Sequence, residues 1–372
     1  MINSTNVPHR SILGHSKFEL DTPALLIDLD ILERNISSIA TFCESRGTSW
    51  RPHSKANKSP DIARLQLNAG AIGITCAKLS EAEMMVRNGI TDVLLANQLG
   101  NPNKQKRLAE IQKLGRVIGI VDTSVVLGSL SEAAIEAGTT VPLLIDIDIG
   151  MDRTGCFLGD EVVRIAESIS NYPSLRLEGI MGYEGHVLEI SPQAAKENAC
   201  SKALAGLIES RNSLTNRGFR CDIVSAGGTG SYAMTAATEG ITEIQAGGGI
   251  FMDAFYRNMC HIDELEYALT ILSTVSSRTK NHVVLDAGFK SLSHTDTYPK
   301  PMNRDDIQLR YLSAEHGVFD ICKNCEGPNI GEYIELLPWY SDSTTFLHDH
   351  FICLRGGVVE CVWDIKGRGM LT

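Results

Sequence analysis

The stretch CDIVSAGGTGSYAMTAATEGITEIQAGGG, residues 221–249, contains two short apolar runs that each end in a cluster of glycines. A short run of branched residues that stops at a glycine turn is typical of a buried parallel strand. Bare backbone amides after two successive strands form the phosphate cradle that many (β/α)8 barrels carry after their last strands. The alternative is a pair of tight turns, in which glycine needs no ligand. Together the two clusters favour a phosphate site, and the sequence lacks the P-loop pattern of mononucleotide sites.

The same alternation extends towards the amino terminus from this stretch. Short apolar runs alternate there with segments of helical period, which predicts repeated parallel βα units. The earlier runs are ALLIDLD (24–30), SWRPHSK (49–55), IGITCA (72–77), DVLLAN (92–97), RVIGIVD (116–122), PLLIDIDIG (142–150) and LEGIMGYEG (177–185). Polar or glycine-rich signatures follow many of these runs. They favour a TIM-like (β/α)8 barrel over an open sheet, because only a barrel gathers all strand ends at one mouth.

The pattern changes after Phe255, where short strands follow one another with little helical period between them. These runs are HVVLDAG (282–288), DIQLRYLS (306–313), HGVFDIC (316–322), GEYIELLPW (331–339), FICLRGG (351–357) and VVECVW (358–363). They predict a mostly antiparallel β-domain. We therefore expect an α/β chain with a barrel over residues 31–255 and a β-domain over residues 256–372.

Bulk properties limit the class of protein. The 372 residues exceed the size at which one core stops growing, which agrees with two domains. A net charge of −11 argues against nucleic acid or an anionic membrane as the main partner. The start, MINSTNVPHRSILGHSKF, has no apolar core segment, and no apolar run approaches the length that spans a bilayer. We expect a cytoplasmic protein whose ten cysteines are reduced, with Cys322 and Cys325 in a loop rather than in a zinc site.

Several residues at predicted strand ends could carry chemistry. Lys55 closes SWRPHSK, where partial desolvation would lower its pKa and make it a Schiff-base nucleophile; otherwise it is an ordinary exposed lysine, like Lys58. Arg153, in DIDIGMDRTG (146–155), would be a fixed cation able to pair with a phenolate or a carboxylate. In GYEGH (182–186), Tyr183 could stack or donate a hydrogen bond, and His186 could move a proton near neutral pH.

Seven motifs occur in order along nearly the whole chain, from about 22 to 370. They are R-P-H-x-K, D-x-G-M-x-R-x-G, G-Y-x-G-H, G-G-T-G-S, Q-A-G-G-x-x-x-x-D, D-A-G-x-K and S-A-E-H-G. The set resembles the fold-type III enzymes that use pyridoxal 5′-phosphate. Within them it resembles the branch of D-threonine aldolase, D-serine dehydratase and the D-3-hydroxyaspartate aldolases and dehydratases.

The resemblance implies an alanine racemase-like barrel in a homodimer, with the first strand, within 22–30, joining the β-domain. It implies that Lys55 holds pyridoxal phosphate as a Schiff base and that Arg153 faces the phenolic oxygen of the cofactor. Tyr183 and His186 would stand beside the cofactor as catalytic residues on the substrate side. The phosphate group would be cradled by Gly228, Thr229, Gly230, Gly248 and Gly249.

The activity implied by the resemblance is that of a lyase, either an aldolase or a dehydratase. Its small-molecule substrate would be a D-configured β-hydroxy-α-amino acid such as D-threonine or D-3-hydroxyaspartate, with Arg257 and Arg310 as candidates for binding a second carboxylate. An amino-acid racemase is the alternative, with Lys55 on one face of the substrate and His186 or Tyr183 on the other. A non-catalytic pyridoxal phosphate-binding protein would not need the β-domain. A barrel for another phosphate compound would leave R-P-H-x-K unexplained.

One segment departs from the branch pattern. A divalent metal usually assists the β-hydroxyl group in this branch, held by a segment that resembles P-x-H-C-D-P-T-x-N-L-x-D. In PWYSDSTTFLHDH (338–350), Tyr340 stands at the histidine position, Ser341 stands at the cysteine position, and only Asp342 is retained. One carboxylate is too few for a tight zinc or manganese site, although His348 and His350 lie downstream. Without the metal, Tyr340 would offer a neutral hydrogen bond in its place.

Overall fold

The computed structural model describes residues 11–372, which form two compact units. The barrel unit consists of residues 38–55, 60–247 and 369–372, and the β unit consists of residues 11–37, 56–59 and 248–368. The sequence predicts no export signal in residues 1–18. Most of that segment lies outside the described residues. Among residues 11–372, no helix is both long enough and apolar enough to cross a membrane.

Strands and helices alternate along the first two thirds of the chain. The first nine strands are β1 (Ala24–Asp28), β2 (Ser49–Trp50), β3 (Ile74–Cys76), β4 (Asp92–Gln98), β5 (Arg116–Val121), β6 (Val141–Ile147), β7 (Leu175–Gly182), β8 (Ile223–Ala226) and β9 (Glu243–Ile244). Each is followed by one helix: α1 (Leu29–Ser45), α2 (Pro60–Asn68), α3 (Leu79–Arg87), α4 (Pro102–Ile111), α5 (Leu127–Ala137), α6 (Asp160–Ser170), α7 (Gln193–Asn216), α8 (Tyr232–Ala236) and α9 (Ala254–Asn258). The predicted βα alternation is confirmed.

Eight parallel strands form the sheet of the barrel unit, in the order β2-β9-β8-β7-β6-β5-β4-β3. The two edges meet, because Ile72 donates its backbone N–H to the carbonyl of Trp50 at 2.8 Å. Thr75 donates in the same way to Pro52 at 2.9 Å, and it forms a parallel bridge with His53. This closure satisfies backbone groups that an open edge would leave unpaired, so the sheet is the predicted barrel.

Ion pairs fill the barrel near the amino ends of its strands. The guanidinium of Arg51, 2% exposed, contacts Glu243 at 3.0 Å and Asp92 at 2.5 Å. Arg116 binds Asp92 at 2.8 Å and also binds Glu178. Buried charges persist only when they are paired, as these are. This end of the barrel is therefore occupied by structural ion pairs, which leaves the carboxyl ends of the strands for ligand chemistry.

The β unit is built from β1 and the remaining strands. These are β10 (Leu269–Arg278), β11 (His282–Leu285), β12 (Lys300–Pro301), β13 (Ile307–Leu312), β14 (Gly317–Ile321), β15 (Tyr333–Leu337), β16 (His350–Arg355) and β17 (Val358–Asp364), with the short helix α10 (Ser341–Thr345) after β15. Their order is β13-β14-β11-β10-β1-β16-β17, and β15 pairs with both β10 and β12. All pairs are antiparallel except β1 with β16, so the prediction of a mostly antiparallel domain is confirmed.

The sequence analysis missed β10, the longest strand of the unit. In LTILSTVSSR, serine and threonine take half of the positions, so the run is weakly apolar. The strand is nevertheless central, since it pairs with β1, β11 and β15. Tertiary pairing on both sides thus overrides a weak local signal.

Candidate active site

The candidate residues of the barrel unit lie after five strands that are neighbours in the sheet. In the order β2-β9-β8-β7-β6, these strands are followed by the lysine segment, by Gln245, Ala246 and Gly247, by the GGTGS loop, by the GYEGH segment and by the Arg153 loop. In a parallel barrel all five carboxyl ends open at the same mouth. Separate stretches of sequence thus meet along one rim.

Lys55 lies in a single turn, Ser54–Ala56, which follows β2 after a short connection. The turn is held by Ser54, whose hydroxyl donates to the carbonyl of Thr75 at 3.0 Å. The backbone N–H of Lys55 donates to Nδ1 of His53 at 3.3 Å, and its side chain is half-buried. A Cβ at Gly247 would lie 2.1 Å from the carbonyl oxygen of His53, so only glycine allows the β9 end to approach the lysine segment this closely.

The Arg153 loop folds back onto β6. Backbone bonds join Asp148 to Cys156 at 3.0 Å and Cys156 to Asp146 at 2.9 Å. The Asp148 side chain accepts from the N–H groups of Gly150 at 2.9 Å and Asp152 at 3.1 Å. These bonds fix the base of the loop while Arg153 itself is exposed. The resulting geometry presents a cation at the rim of the barrel.

Asp146 is a buried carboxyl at the foot of this loop. One of its oxygens, Oδ2, accepts from Gln98 at 2.6 Å and from Thr154 at 3.1 Å. Burial is the main cause that raises the pKa of Asp146, Asp122 adds to it, and the hydrogen bonds from Thr154 and Gln98 and the charge of Arg153 oppose it; the net result is a pKa of about 6. The carboxyl therefore titrates close to neutral pH at the base of the loop that carries the cation.

Tyr183 and His186 pack against glycines of neighbouring loops. The guanidinium of Arg153 lies 5.7 Å from the centroid of the Tyr183 ring, a cation–π arrangement. A Cβ at Gly228 would lie 3.1 Å from atoms of the same ring. A Cβ at Gly150 would lie 2.8 Å from the exposed His186 ring. The structure therefore brings Arg153, Tyr183 and Gly228 together, with His186 beside the Arg153 loop.

Glu184 ties the GYEGH segment to the GGTGS loop, and the sequence analysis gave it no role. Its side chain is 0% exposed. It accepts from the hydroxyls of Ser231 at 2.7 Å and Thr235 at 2.5 Å, and from the N–H of Gly227 at 3.3 Å. The only sequence signal was a carboxylate between Tyr183 and His186, and its partners lie more than forty residues away. Glu184 is therefore a positioning residue for the loop.

The GGTGS loop itself is compact. Gly227 has a φ of +78°, which a residue with a side chain rarely adopts. The N–H of Gly228 donates to the hydroxyl of Ser231 at 3.2 Å, and Thr229 is 2% exposed. Gly230 is likewise buried. A loop of this kind can bring its backbone close to an anionic group.

Gly248, Gly249, Tyr340 and Asp342 are among the residues singled out that belong to the β unit. Gly248 and Gly249 follow Gly247 in the chain and open the turn Gly248–Ile250, in which both are buried. Tyr340 directly precedes α10, which contains Asp342. The Tyr340 hydroxyl donates to Oδ2 of Asp342 at 2.9 Å.

The two arginines considered for a second substrate carboxylate are paired within the β unit. Arg257 donates to the carbonyls of Asp263 at 3.1 Å and of Leu265, and its guanidinium lies 5.1 Å from the Tyr267 ring centroid. Arg310 binds the carboxylate of Asp320 at 2.9 Å. These contacts give each guanidinium group structural partners within the β unit.

Comparison with known proteins places the chain among enzymes of D-amino acids. Residues 27–254 match the family model described as alanine racemase, N-terminal domain, and residues 268–354 match the putative serine dehydratase domain. The 3-hydroxy-D-aspartate aldolase of Paracoccus denitrificans (strain Pd 1222) is 35% identical over 96% of this chain and 94% of its own length.

Solved structures give the same grouping. The D-threonine aldolase from Filomicrobium marinum superposes with a TM-score of 0.93 and 34% identity, over 97% of this chain and 99% of that one. D-threo-3-hydroxyaspartate dehydratase from Delftia sp. HT23 superposes with a TM-score of 0.86 and 26% identity, over 94% of this chain and 98% of that one.

Proposed function

The chain belongs to the alanine racemase N-terminal domain family, with a putative serine dehydratase domain after the barrel, and we propose that it is a pyridoxal 5′-phosphate-dependent lyase of D-configured β-hydroxy-α-amino acids. One observation carries the proposal. Lys55, the GGTGS loop, the GYEGH segment and Arg153 all lie at the carboxyl ends of neighbouring barrel strands. A nucleophilic amine, an anion cradle, an aromatic ring and a cation are the groups such a cofactor requires.

The barrel residues fit the cofactor. A side chain at Gly228 would fill the space beside Tyr183, so glycine keeps that part of the loop open to a phosphate group. We assign the phosphate to Gly228, Thr229 and Gly230, with Gly248 and Gly249 as the further predicted contacts. Lys55 would bind the cofactor covalently, and Arg153 would balance the negative charge of its phenolic oxygen.

When bound, pyridoxal phosphate supplies an electron sink for the pair released as a bond to the α-carbon of the substrate breaks. The residues then have distinct tasks. Lys55 would hold the cofactor through its amine, and the same amine would accept or return a proton at the α-carbon of the substrate. His186 would hold or move a proton beside the bound groups, and Tyr183 would orient those groups by stacking. Arg153 would hold the cofactor electrostatically and would take no part in proton transfer.

Relatives support carbon–carbon cleavage over loss of the hydroxyl group. The two aldolases compared above share 34% and 35% identity with this chain, against 26% for the dehydratase structure and 30% for the dehydratase sequence over 74% of this chain. We further propose that the enzyme is a homodimer, as the resemblance implies, and that it is cytoplasmic, as expected from its sequence.

A product assay tests the proposed reaction. The protein loaded with pyridoxal phosphate is offered D-threonine, D-serine and both D-3-hydroxyaspartates, and the products are identified by chiral mass spectrometry. Glycine with an aldehyde identifies an aldolase, and a 2-oxo acid with ammonia identifies a dehydratase. The mirror-image amino acid alone would identify a racemase and contradict the proposal.

A lysine variant tests the assignment of Lys55. Lys55→Arg keeps the charge but forms no Schiff base, so turnover should fall by at least ~10²-fold and the visible absorbance of the lysine-bound cofactor should vanish. Lys58→Arg, three residues along the chain, is the matched control and should keep both signals. If Lys55→Arg retained the absorbance while Lys58→Arg lost it, the nucleophile would be Lys58.

A further inference from the structure

The segment that resembles a metal-binding motif has a different donor set in this chain. The side chains of Tyr340, Ser341 and Asp342 stand where the related motif has histidine, cysteine and aspartate. Zinc and manganese sites in proteins are built from imidazole, thiolate and carboxylate ligands. Phenol and alcohol groups are neutral at pH 7 and are poor ligands for these ions. The chemistry of the side chains present therefore does not fit a divalent metal.

A hydrogen bond takes the place of metal coordination. The Tyr340 hydroxyl donates to Oδ2 of Asp342 at 2.9 Å, a charge-assisted geometry. The pair satisfies one of the two carboxylate oxygens, Oδ2, with a neutral donor from the same segment. Such a pair needs no cation to hold the two side chains together.

The tyrosine is held in this position from several sides. Its backbone N–H donates to Ser293 Oγ at 2.8 Å, and its carbonyl accepts from Thr344 Oγ1 at 2.9 Å. The ring makes edge-on contacts with Phe255 at 5.4 Å and Tyr256 at 5.8 Å between centroids. The position of the phenol is thus fixed by packing, as well as by its bond to Asp342.

Ser341 is committed elsewhere. Its N–H and its hydroxyl both donate to Oδ2 of Asp253 at 2.7 Å, and the side chain is 0% exposed. A serine hydroxyl that donates to a buried carboxylate is directed away from the role that a thiolate plays in a metal site. Ser341, which stands at the cysteine position, therefore fixes the start of α10 through its bonds to Asp253.

The downstream histidines do not replace the missing ligand. His348 Nε2 lies 2.6 Å from the carbonyl of Ser291, and burial lowers the pKa of His348. His350 Nδ1 lies 3.0 Å from Asp364 in the β16–β17 pair. Within residues 11–372, no group of three or more histidine, cysteine, aspartate or glutamate side chains is arranged to hold a metal ion.

We propose that this chain has exchanged the divalent metal of its relatives for the Tyr340–Asp342 hydrogen bond, so that the protein neither binds nor requires a divalent metal at this segment. A single replacement, Tyr340→His, restores an imidazole two residues before Asp342. The inference concerns metal binding by the folded protein. It can therefore be tested whether or not the proposed lyase activity is found.

Metal content measures the proposal directly. The full-length protein, Tyr340→His and Tyr340→Phe are each treated with EDTA and incubated with manganese or zinc. After gel filtration, bound metal is counted by inductively coupled plasma mass spectrometry. We expect no stoichiometric metal in the unmodified protein or in Tyr340→Phe, and more retained metal in Tyr340→His, which has two ligands of suitable chemistry at this segment. Tyr340→Phe is the matched control, because it breaks the hydrogen bond without adding a ligand.

Two outcomes would overturn the proposal. One is a stoichiometric metal ion in the unmodified protein that Asp342→Asn removes, since this would place a working site at the segment. The other is equal metal content in Tyr340→His and Tyr340→Phe. That result would mean that restoring the imidazole does not restore metal binding at this segment. Thermal melting of each variant shows that the fold is intact before metal is counted.

Discussion

The protonation of a single residue, Asp146, makes the free energy of unfolding depend on pH. It is 5% exposed and has a pKa near 6, against an ordinary value of 3.8. Because the folded-state pKa lies above that of the unfolded chain, the folded protein prefers the protonated carboxyl. This contribution to stability is complete below about pH 4 and is lost as the pH rises through 6, by about 3 kcal/mol in total.

Asp146→Asn should remove this pH dependence. The asparagine carbonyl can accept from Gln98 and Thr154 as the carboxylate does, without a buried charge. We expect the variant to be more stable at pH 7 than the unmodified protein by up to about 3 kcal/mol, and nearly equal to it at pH 4. Thermal and urea unfolding from pH 4 to pH 8 measures the difference. Stability curves that stay parallel across this range would contradict the burial argument.

Residue patterns located Lys55, Arg153, Tyr183 and His186 at strand ends, because each follows a short apolar run directly in the sequence. Their roles remain proposals that the variants above test. No sequence pattern predicted the positioning role of Glu184. Its hydrogen-bond donors lie in the loop after another strand, so the residues around Glu184 in the sequence do not indicate that role.

At the scale of elements, Glu184 joins the end of β7 to the loop after β8 and to α8. Glu184→Ala would leave two buried hydroxyls and one N–H without this acceptor, at roughly 1–3 kcal/mol for each group. We expect the variant to bind pyridoxal phosphate at least about tenfold more weakly, because the loop that would carry the phosphate loses its anchor. Fluorescence titration of the apoprotein with the cofactor measures this affinity.

Two further variants separate positioning from general damage. Glu184→Gln keeps one acceptor oxygen and should recover much of the affinity. Glu189→Ala removes an exposed carboxylate shortly after the GYEGH segment and should leave the affinity for the cofactor unchanged. If Glu184→Ala lowered the melting temperature but bound the cofactor as tightly as the unmodified protein, Glu184 would have only a structural role.

Elements with a strong local signal were predicted, and one with a weak signal was not. The barrel strands are short branched runs that end in turns, and the structure has a strand at each predicted run. β10 is rich in serine and threonine and is defined by its three partner strands. Its place in the sheet depends on pairing with residues far away in the chain. Local composition does not predict such pairing.

At the scale of the whole molecule, we expect a homodimer. The enzymes that the chain resembles usually place their active sites near a subunit interface, so dilution that separates subunits should also reduce turnover. Sedimentation equilibrium should give about twice the chain mass of 40.5 kDa. A species of single-chain mass at concentrations that retain full activity would contradict the expectation.

The sequence by itself determined the barrel, the antiparallel domain and the positions of the candidate residues along the chain. It could do so because strand period, glycine turns and the residues at strand ends are local properties. Only the tertiary structure decided which groups meet: Arg153 with Tyr183, Glu184 with the GGTGS loop, and the two paired arginines of the β unit. It also decided that Tyr340 is hydrogen-bonded to Asp342 and that Ser341 anchors to Asp253. Half of these contacts join residues that are distant in the chain, and all depend on side-chain directions that appear only once the strands are paired and packed.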